Sequence, residues 1–397
     1  MRILIGSESF YPSISGVAVT AWNLAAYLAS HGHQVAVLAP STRLADGYES
    51  YPEGFSVYRF LSVPNPFRKG FRVTMRPYKR ILRTVKEWRP DLVHLEDPTS
   101  ICSCLARAAE QCGVPIVISH HFSLDYILSY IRFLKPLHDY SRQQLTRLLT
   151  DFYNRCDYVL CPSALVAEWL TEIGVHVPMK TISNGVNLQR FFAYESPPAV
   201  RSTLGLPDIP IVLYVGRIDQ DKHLDTLLES VPLVLQDHSA CFVLCGGGNL
   251  LERLHKGIIQ AGLKDRVIFL GPLDHNHDDL PRLYQLAACF IMPSCIETQS
   301  IVTMEAMAAG LPVVAANSGA LPELVSEGEN GFLFRPGDPV DLAAKVNLIL
   351  DNPEMARRMG YRSLQKIHDH DINLNMRQVV EVYERVVLNA GAENMVI

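Results

Sequence analysis

The chain has 397 residues, 48% of them hydrophobic and 19% charged, with a formal net charge of -5. That composition excludes a disordered chain, and the length exceeds what one ordinary core holds, so two domains are expected. Nothing in the overall charge points to nucleic acid, and no apolar run reaches the length of a membrane span.

Short apolar runs alternate with segments of helical period from end to end. Residues 1–6 lack a signal-type apolar stretch, and Ile3–Ile5 reads as a first buried strand. Tyr11-Pro12-Ser13-Ile14-Ser15-Gly16-Val17 is then a turn into a helix over Val17–His31, stopped by Gly32. Gly16 lets backbone approach a phosphate, and a helix start presents unpaired N–H groups. A bare helix-start turn explains it equally well. It is neither a Walker loop nor a dinucleotide fingerprint, since no Gly-Lys-Ser/Thr follows. Strands are expected next at Val35–Ala39, Ser56–Phe60, Leu92–Leu95 and Ile116–Ser119.

Residues 67–89 hold nine cations (Arg68, Lys69, Arg72, Arg76, Lys79, Arg80, Arg83, Lys86 and Arg89) against one acid, Glu87, with Phe67, Phe71, Tyr78 and Trp88 interleaved. Basic charge with aromatics suits an anionic membrane surface. A solvated helix with Ile81, Leu82, Val85 and Trp88 on its apolar face is the competing reading. Pro115–Ser119 leads into His120 and His121, which point opposite ways if the strand continues, so only one faces a ligand. Tyr158–Cys161 and Ala164–Ile173 repeat the strand-helix pattern. The nine cysteines form no Cys-x-x-Cys pair and read as buried thiols of a reducing compartment. A cytoplasmic location and no structural zinc are expected.

A polar break with prolines spans 190–208. A second series follows: Ile211–Val215, Cys241–Leu244, Val267–Leu270, Cys289–Met292 and Val313–Ala315, again with helices between. Two such series imply two doubly wound domains whose ligands bind beyond the carboxyl ends of the strands. Gly216-Arg217 ends the first strand of the second series, and Lys222 lies five residues on, so both can converge on one anion. Gly246-Gly247-Gly248-Asn249 follows the next strand. After Met292 a polar turn carries Glu297, Thr298 and Gln299, and a helix starts near Ser300 and Ile301 with Glu305 inside it. Taken alone, each of these charged residues could be solvated surface.

Residues 293–314 resemble the signature of the retaining glycosyltransferases of family 4 (glycosyltransferase group 1): two glutamates eight positions apart, then Ala-Met-Ala-x-Gly-x-Pro-Val-Val. Gly-Arg-x-x-x-x-Lys, the Gly16 turn, the histidines after Pro115, Asn184-Gly185-Val186-Asn187 and the triple glycine also resemble motifs of that family, in its order. The resemblance implies an α/β GT-B fold, two Rossmann-like doubly wound parallel-sheet domains facing across a cleft. Residues 1–190 would bind the acceptor and 205–375 the nucleotide sugar, and a last helix over 376–397 could cross back to the first domain.

It further implies that Arg217 and Lys222 neutralise the leaving diphosphate, with Gly16, Val17 and Gly247 beside the donor. Glu297 holds the sugar hydroxyls with Thr298, Gln299, Ser300 and Ile301, Glu305 holds the ribose, and His121 lines the acceptor side near the anomeric carbon. Arg217, Lys222, Glu297 and His121 are thus the expected catalytic set, with no cofactor and no metal. Ser300 departs from the family's usual glycine and puts the donor's identity in question. Glu297-Thr298-Gln299 and the stretch from His121 through Tyr126 to Tyr130 resemble the diacylglycerol glucosyltransferase branch. UDP-glucose as donor, a lipid or lipid-linked acceptor, and a peripheral site on the inner membrane face via 67–89 are expected on that ground. A soluble or polysaccharide acceptor with another sugar donor, or a phosphorylase on the same fold, is the alternative.

Overall fold

The computed structural model describes residues 1–13, 15–65, 71–75, 77–121, 138–192, 198–273 and 277–393. Phe67, Arg68, Lys69 and Arg76 of the basic stretch, residues 122–130 after His121, and Tyr194–Pro197 of the break lie outside them. The chain folds as two compact units, one made of Met1–Asn184 with Asn373–Ile397 and the other of Gly185–Ile372.

The first unit is built on an eight-stranded sheet in the order β10-β9-β8-β7-β1-β2-β4-β3. Its central strands are β1 (Arg2–Gly6), β2 (Gln34–Pro40), β7 (Leu92–Leu95), β8 (Ile116–Ser119) and β9 (Tyr158–Cys161). Ile3 pairs in parallel with Val35 on one side and Leu92 on the other. These strands are apolar in nearly every residue because helices cover both faces. The edge strands β3 (Gly47–Ser50) and β10 (Met179–Thr181), β4 (Ser56–Phe60) between β2 and β3, and the separate hairpin of β5 (Ser62–Pro64) and β6 (Arg72–Thr74), complete the unit. The final helix, Ile372–Glu393, buries Met376, Val379, Tyr383 and Val386, a stripe at helical spacing. Its Tyr383 hydroxyl lies 2.8 Å from His94 Nδ1 on β7.

The second unit holds an all-parallel sheet in the order β13-β12-β11-β14-β15-β16. Its strands are β11 (Ile211–Val215), β12 (Cys241–Cys245), β13 (Val267–Gly271), β14 (Cys289–Met292), β15 (Val313–Ala316) and β16 (Gly331–Phe334). Order reverses about β11, which is flanked by β12 and β14, so the loops after β11 and β14 open at a topological switch point. β1 of the first unit, flanked by β2 and β7, makes the same arrangement.

The division between units falls at Asn184/Gly185 and not in the proline-containing break. Phe191 is 1% exposed and stacks edge-on against Tyr284 of the second unit, so the residues at the start of that break are core. The second crossing lies beside the first. Val186 N–H donates to His370 O at 2.9 Å and Ile372 N–H to Val186 O at 3.1 Å, and a Cβ on Gly185 would stand 2.7 Å from Ile372 Cα. That proximity requires glycine at 185, where φ is +76°.

Candidate active site

The loop after β11 leaves the sheet through Gly216 and is braced from below, where the buried Tyr214 hydroxyl donates to Arg217 O at 2.7 Å. Arg217 then spans two carboxylates: Nη1 donates to Asp219, and Nη2 donates to Asp221 Oδ2 at 2.7 Å. Asp219 carries a second duty, accepting the Asn249 N–H at 2.8 Å, which ties the Arg217 loop to the glycine loop after β12. Those two loops run backbone to backbone, and Ile218 N–H donates to Gly247 O at 2.9 Å. A Cβ on Gly246 would fall 1.9 Å from Gly216 O, an impossible distance for any other residue. Among the described residues Gly247, the one glycine of the three assigned to the donor, meets nothing nearer than Pro272 Cδ at 3.9 Å, so their packing does not explain it.

Lys222 ends the short 3-10 turn Gln220–Lys222. Its ammonium donates to Glu297 Oε1 at 2.6 Å and stands 3.8 Å from Asp221 Oδ2. Glu297 belongs to the loop after β14, so this bond closes the switch point across the sheet top. Ser294 of the same loop reinforces it by donating to Asp221 O at 3.3 Å. Behind Glu297, Ala320 N–H donates to its carbonyl at 2.9 Å, and a Cβ on Gly319 would lie 2.7 Å from that oxygen. Arg217, Lys222 and Glu297 therefore share one constellation, with the side chains of Arg217 23% and Lys222 15% exposed. It is a set of cations pre-aimed by carboxylates and open to solvent, suited to receive a more strongly charged anion.

Thr298 and Gln299 continue the loop half-buried, and Ser300 heads the helix Ile301–Ala308. Ser300 has φ -94°, a conformation open to any residue, and its hydroxyl accepts from Thr303 Oγ1 at 2.8 Å while only 3% of the residue is exposed. The extra atoms are thus turned into the helix start, and the Ser300 side chain makes no capping bond to the helix N–H groups. Glu305 lies one and a half turns on, 2% exposed, accepting the Tyr284 hydroxyl at 2.8 Å. Burial, with the Glu305 charge beside it, pushes the Tyr284 phenol well above its ordinary range, so it acts as a donor.

In the first unit Gly16 begins the helix Gly16–Ser30 on the surface, with Val17 behind it, and the Ser15 hydroxyl caps the helix by accepting from Ala18 N–H at 3.1 Å. The two histidines diverge. His120 is 1% exposed with Nδ1 2.7 Å from the Tyr153 hydroxyl, a core contact. His121 places Nε2 2.6 Å from Glu96 Oε2. Asp219, Asp221, Tyr284 and Glu96 escaped the sequence reading. The two aspartates lie inside the Arg217–Lys222 motif itself and could have been found there, whereas Tyr284 and Glu96 are brought in only by the fold. Among the described residues no group of three or more His, Cys, Asp or Glu is placed to hold a metal ion.

Residues 200–366 match the family of glycosyl transferases group 1, and residues 14–190 match glycosyltransferase family 4. The chain is 29% identical over 383 residues to the sulfoquinovosyl transferase SQD2 of Arabidopsis thaliana, covering 93% of this chain and 70% of that protein. It is 26% identical over 364 residues to an alpha-monoglucosyldiacylglycerol synthase of Streptococcus pneumoniae, covering 89% and 80%. Among solved structures, a sucrose-phosphate synthase from Thermosynechococcus elongatus superposes with a TM-score of 0.79 at 23% identity, over 98% of this chain and 99% of that one. Anabaena HepE in complex with UDP-glucose gives 0.77 at 22%, over 97% and 100%. Both are likenesses of fold, and the fold is the two-domain GT-B architecture.

Proposed function

This chain belongs to family 4 of the glycosyltransferases, group 1, and we propose that within it the chain moves glucose from UDP-glucose to a lipid or lipid-linked acceptor, retaining the anomeric configuration. The observation that carries the reading is the Lys222–Glu297 bond of 2.6 Å beside Arg217 at the switch point of the second unit. Breaking a sugar–diphosphate bond builds negative charge on the departing oxygens. Arg217, Lys222 and the helix-start N–H groups at Ile301 supply fixed positive potential for that charge, so no metal ion is needed for the step. Glu297 is released by Lys222 when phosphate takes its place, and its carboxylate then accepts from the sugar's hydroxyls. Glu305 and Tyr284 form the polar floor for the ribose.

Retention follows the family's front-face course. No second carboxylate is assigned to form a covalent sugar intermediate, and attack comes from the leaving-group side. His121 is assigned to the acceptor side of the anomeric carbon.

The lipid acceptor rests on two relatives whose names describe sulfoquinovosyl transfer and monoglucosyldiacylglycerol synthesis. It is supported by the helix Tyr78–Trp88, which buries Ile81 and Val85 while Lys79, Arg80, Arg83, Lys86 and Arg89 remain exposed. Among the described residues no helix is long and apolar enough to cross a membrane, so contact with a bilayer falls to faces such as this one. Arg72 contributes less, since its guanidinium is committed to Ser62 at 2.7 Å.

The test is incubation with UDP-[14C]glucose and diacylglycerol or monoglucosyldiacylglycerol in mixed micelles with anionic lipid. Organic-extractable label with an α-anomeric coupling is the expected product. Label that stays water-soluble with every lipid, while a soluble sugar acceptor is glucosylated, refutes the lipid assignment. A thermal-shift panel of UDP-, GDP- and ADP-sugars checks the donor, and stabilisation by GDP- or ADP-sugars alone refutes UDP-glucose.

A further inference from the structure

Glu96 stands at the end of β7, fully buried, and is absent from the sequence motifs that point to the reaction. Its Oε2 lies 2.6 Å from His121 Nε2, and its Oε1 has no hydrogen-bond partner among the described residues but faces His94 Nε2 at 3.4 Å. His94, itself fully buried, has Nδ1 2.8 Å from the Tyr383 hydroxyl of the last helix and Nε2 3.3 Å from Ser119 Oγ. Burial alone would raise the Glu96 carboxyl, but the neighbouring His94 and the hydrogen bond from His121 bring it down to about 2, so the group is an anion. An ionised carboxylate only accepts, so Nε2 of His121 must carry the proton of that bond. In the neutral form of the ring Nδ1 is then the acceptor.

We propose that Glu96 is a positioning residue that locks His121 in the Nε2-protonated tautomer, leaving Nδ1 to accept a hydrogen bond from a substrate hydroxyl. Glu96 can do this because it cannot swing: His94 backs its other oxygen, and Tyr383 and Ser119 hold His94. A carboxylate beside an imidazole fixes ring orientation and tautomer at once, whereas an isolated histidine would populate both. The idea rests on His121 facing substrate, as the proposed function assigns, and it names what selects the ring's working form.

The direct test needs no variant. Two-bond 1H–15N correlation spectra of the full chain, with the His121 signals assigned by their loss in His121→Asn, report which nitrogen carries the proton. Protonated Nε2 with an unprotonated Nδ1 is expected at neutral pH, and a protonated Nδ1 beside a bare Nε2 overturns the proposal. Glu96→Gln then offers either an acceptor or an N–H to the ring, so the His121 signals should report mixed tautomers. Its kcat should fall on the order of 10²-fold with the KM for UDP-glucose unchanged, less than the about 10⁴-fold that a wrong tautomer costs where histidine itself moves the proton. A fall in kcat with the tautomer unaltered, or a tautomer change with kcat intact, overturns it too. Should the unaltered protein transfer no sugar, the proposed function fails, while the spectra still decide the tautomer.

Discussion

Lys222 and Glu297, 75 positions apart in the chain, meet at 2.6 Å above the ends of β11 and β14. The bond joins a cation assigned to the diphosphate to an anion assigned to the sugar, so each holds the other in place until the donor separates them. Removing either leaves the other buried to 15% exposure or less without its principal partner.

Arg217→Ala and Lys222→Ala should each lower kcat by about 10²- to 10³-fold, the size seen when one donor to a developing oxyanion is lost. Glu297→Gln keeps the shape but frees Lys222 from its counter-charge. It should raise the KM for the nucleotide sugar more than the Kd for UDP alone, because UDP lacks the glucosyl hydroxyls assigned to Glu297. Steady-state kinetics with calorimetric titration of UDP separates the two effects. Near-normal turnover in Arg217→Ala would remove the clamp from the account.

The Glu297 loop is seated on Gly319. At φ +58° and with Glu297 O 2.7 Å from the site of a Cβ, Gly319→Ala must push that loop outward. The expected result is a several-fold higher KM for the donor together with a lower unfolding midpoint, read by kinetics and thermal melting. An unchanged KM would mean that the position of Glu297 does not limit donor binding.

Tyr284→Phe deletes the hydroxyl that donates to Glu305 at 2.8 Å inside the second unit. Leaving a buried carboxylate short of one donor costs about 1–3 kcal/mol. If Glu305 holds the ribose, donor affinity falls along with stability. A loss of stability alone, by chemical denaturation with UDP affinity unaltered, would assign the pair to the core.

Arg217, Lys222 and Glu297 stood out from solvated surface charge only through the motifs they belong to, while the central strands and their parallel pairing were legible because they rest on local signals, unbroken apolar runs between helical segments. β3, β5, β6, β10 and β16 were not. β3 and β10 are short edge strands carrying polar residues, β5 and β6 pair only with each other, and β16 is Gly-Phe-Leu-Phe, too brief to separate from a buried turn. Ser300 could be flagged as a departure but its outcome could not be read, since that depends on Thr303, one turn on, donating to its hydroxyl. Glu96 and Tyr383 lie 287 positions apart and are gathered about His94 only by the fold, so no spacing announces them.

Glu96 also sets a pH window. Its carboxyl falls from the 4.5 of an unperturbed glutamate to about 2 in the fold, so the folded state binds fewer protons than the unfolded one. Its contribution to stability is complete above about 4.5 and disappears as the pH drops through about 2. Denaturant midpoints measured between those limits should fall less steeply for Glu96→Gln than for the unaltered chain, and equal slopes would show that Glu96 is not held as an anion.

The exposed cations of the helix Tyr78–Trp88 are the remaining test of where the acceptor is met. Lys79, Arg83 and Lys86 have no ion pair to lose among the described residues, whereas Arg80 is bonded to Asp46. Replacing those three by serine leaves the buried face of Ile81 and Val85 untouched, so the unfolding midpoint should hold. Each cation near an anionic surface is worth about 1 kcal/mol, so the triple variant should bind vesicles rich in phosphatidylglycerol on the order of 10²-fold more weakly at low salt. Co-sedimentation measures this, and the difference should vanish as salt shortens the screening length. Equal binding by both proteins would move the membrane contact to another face, and no binding by either would leave the lipid to be delivered in some other form.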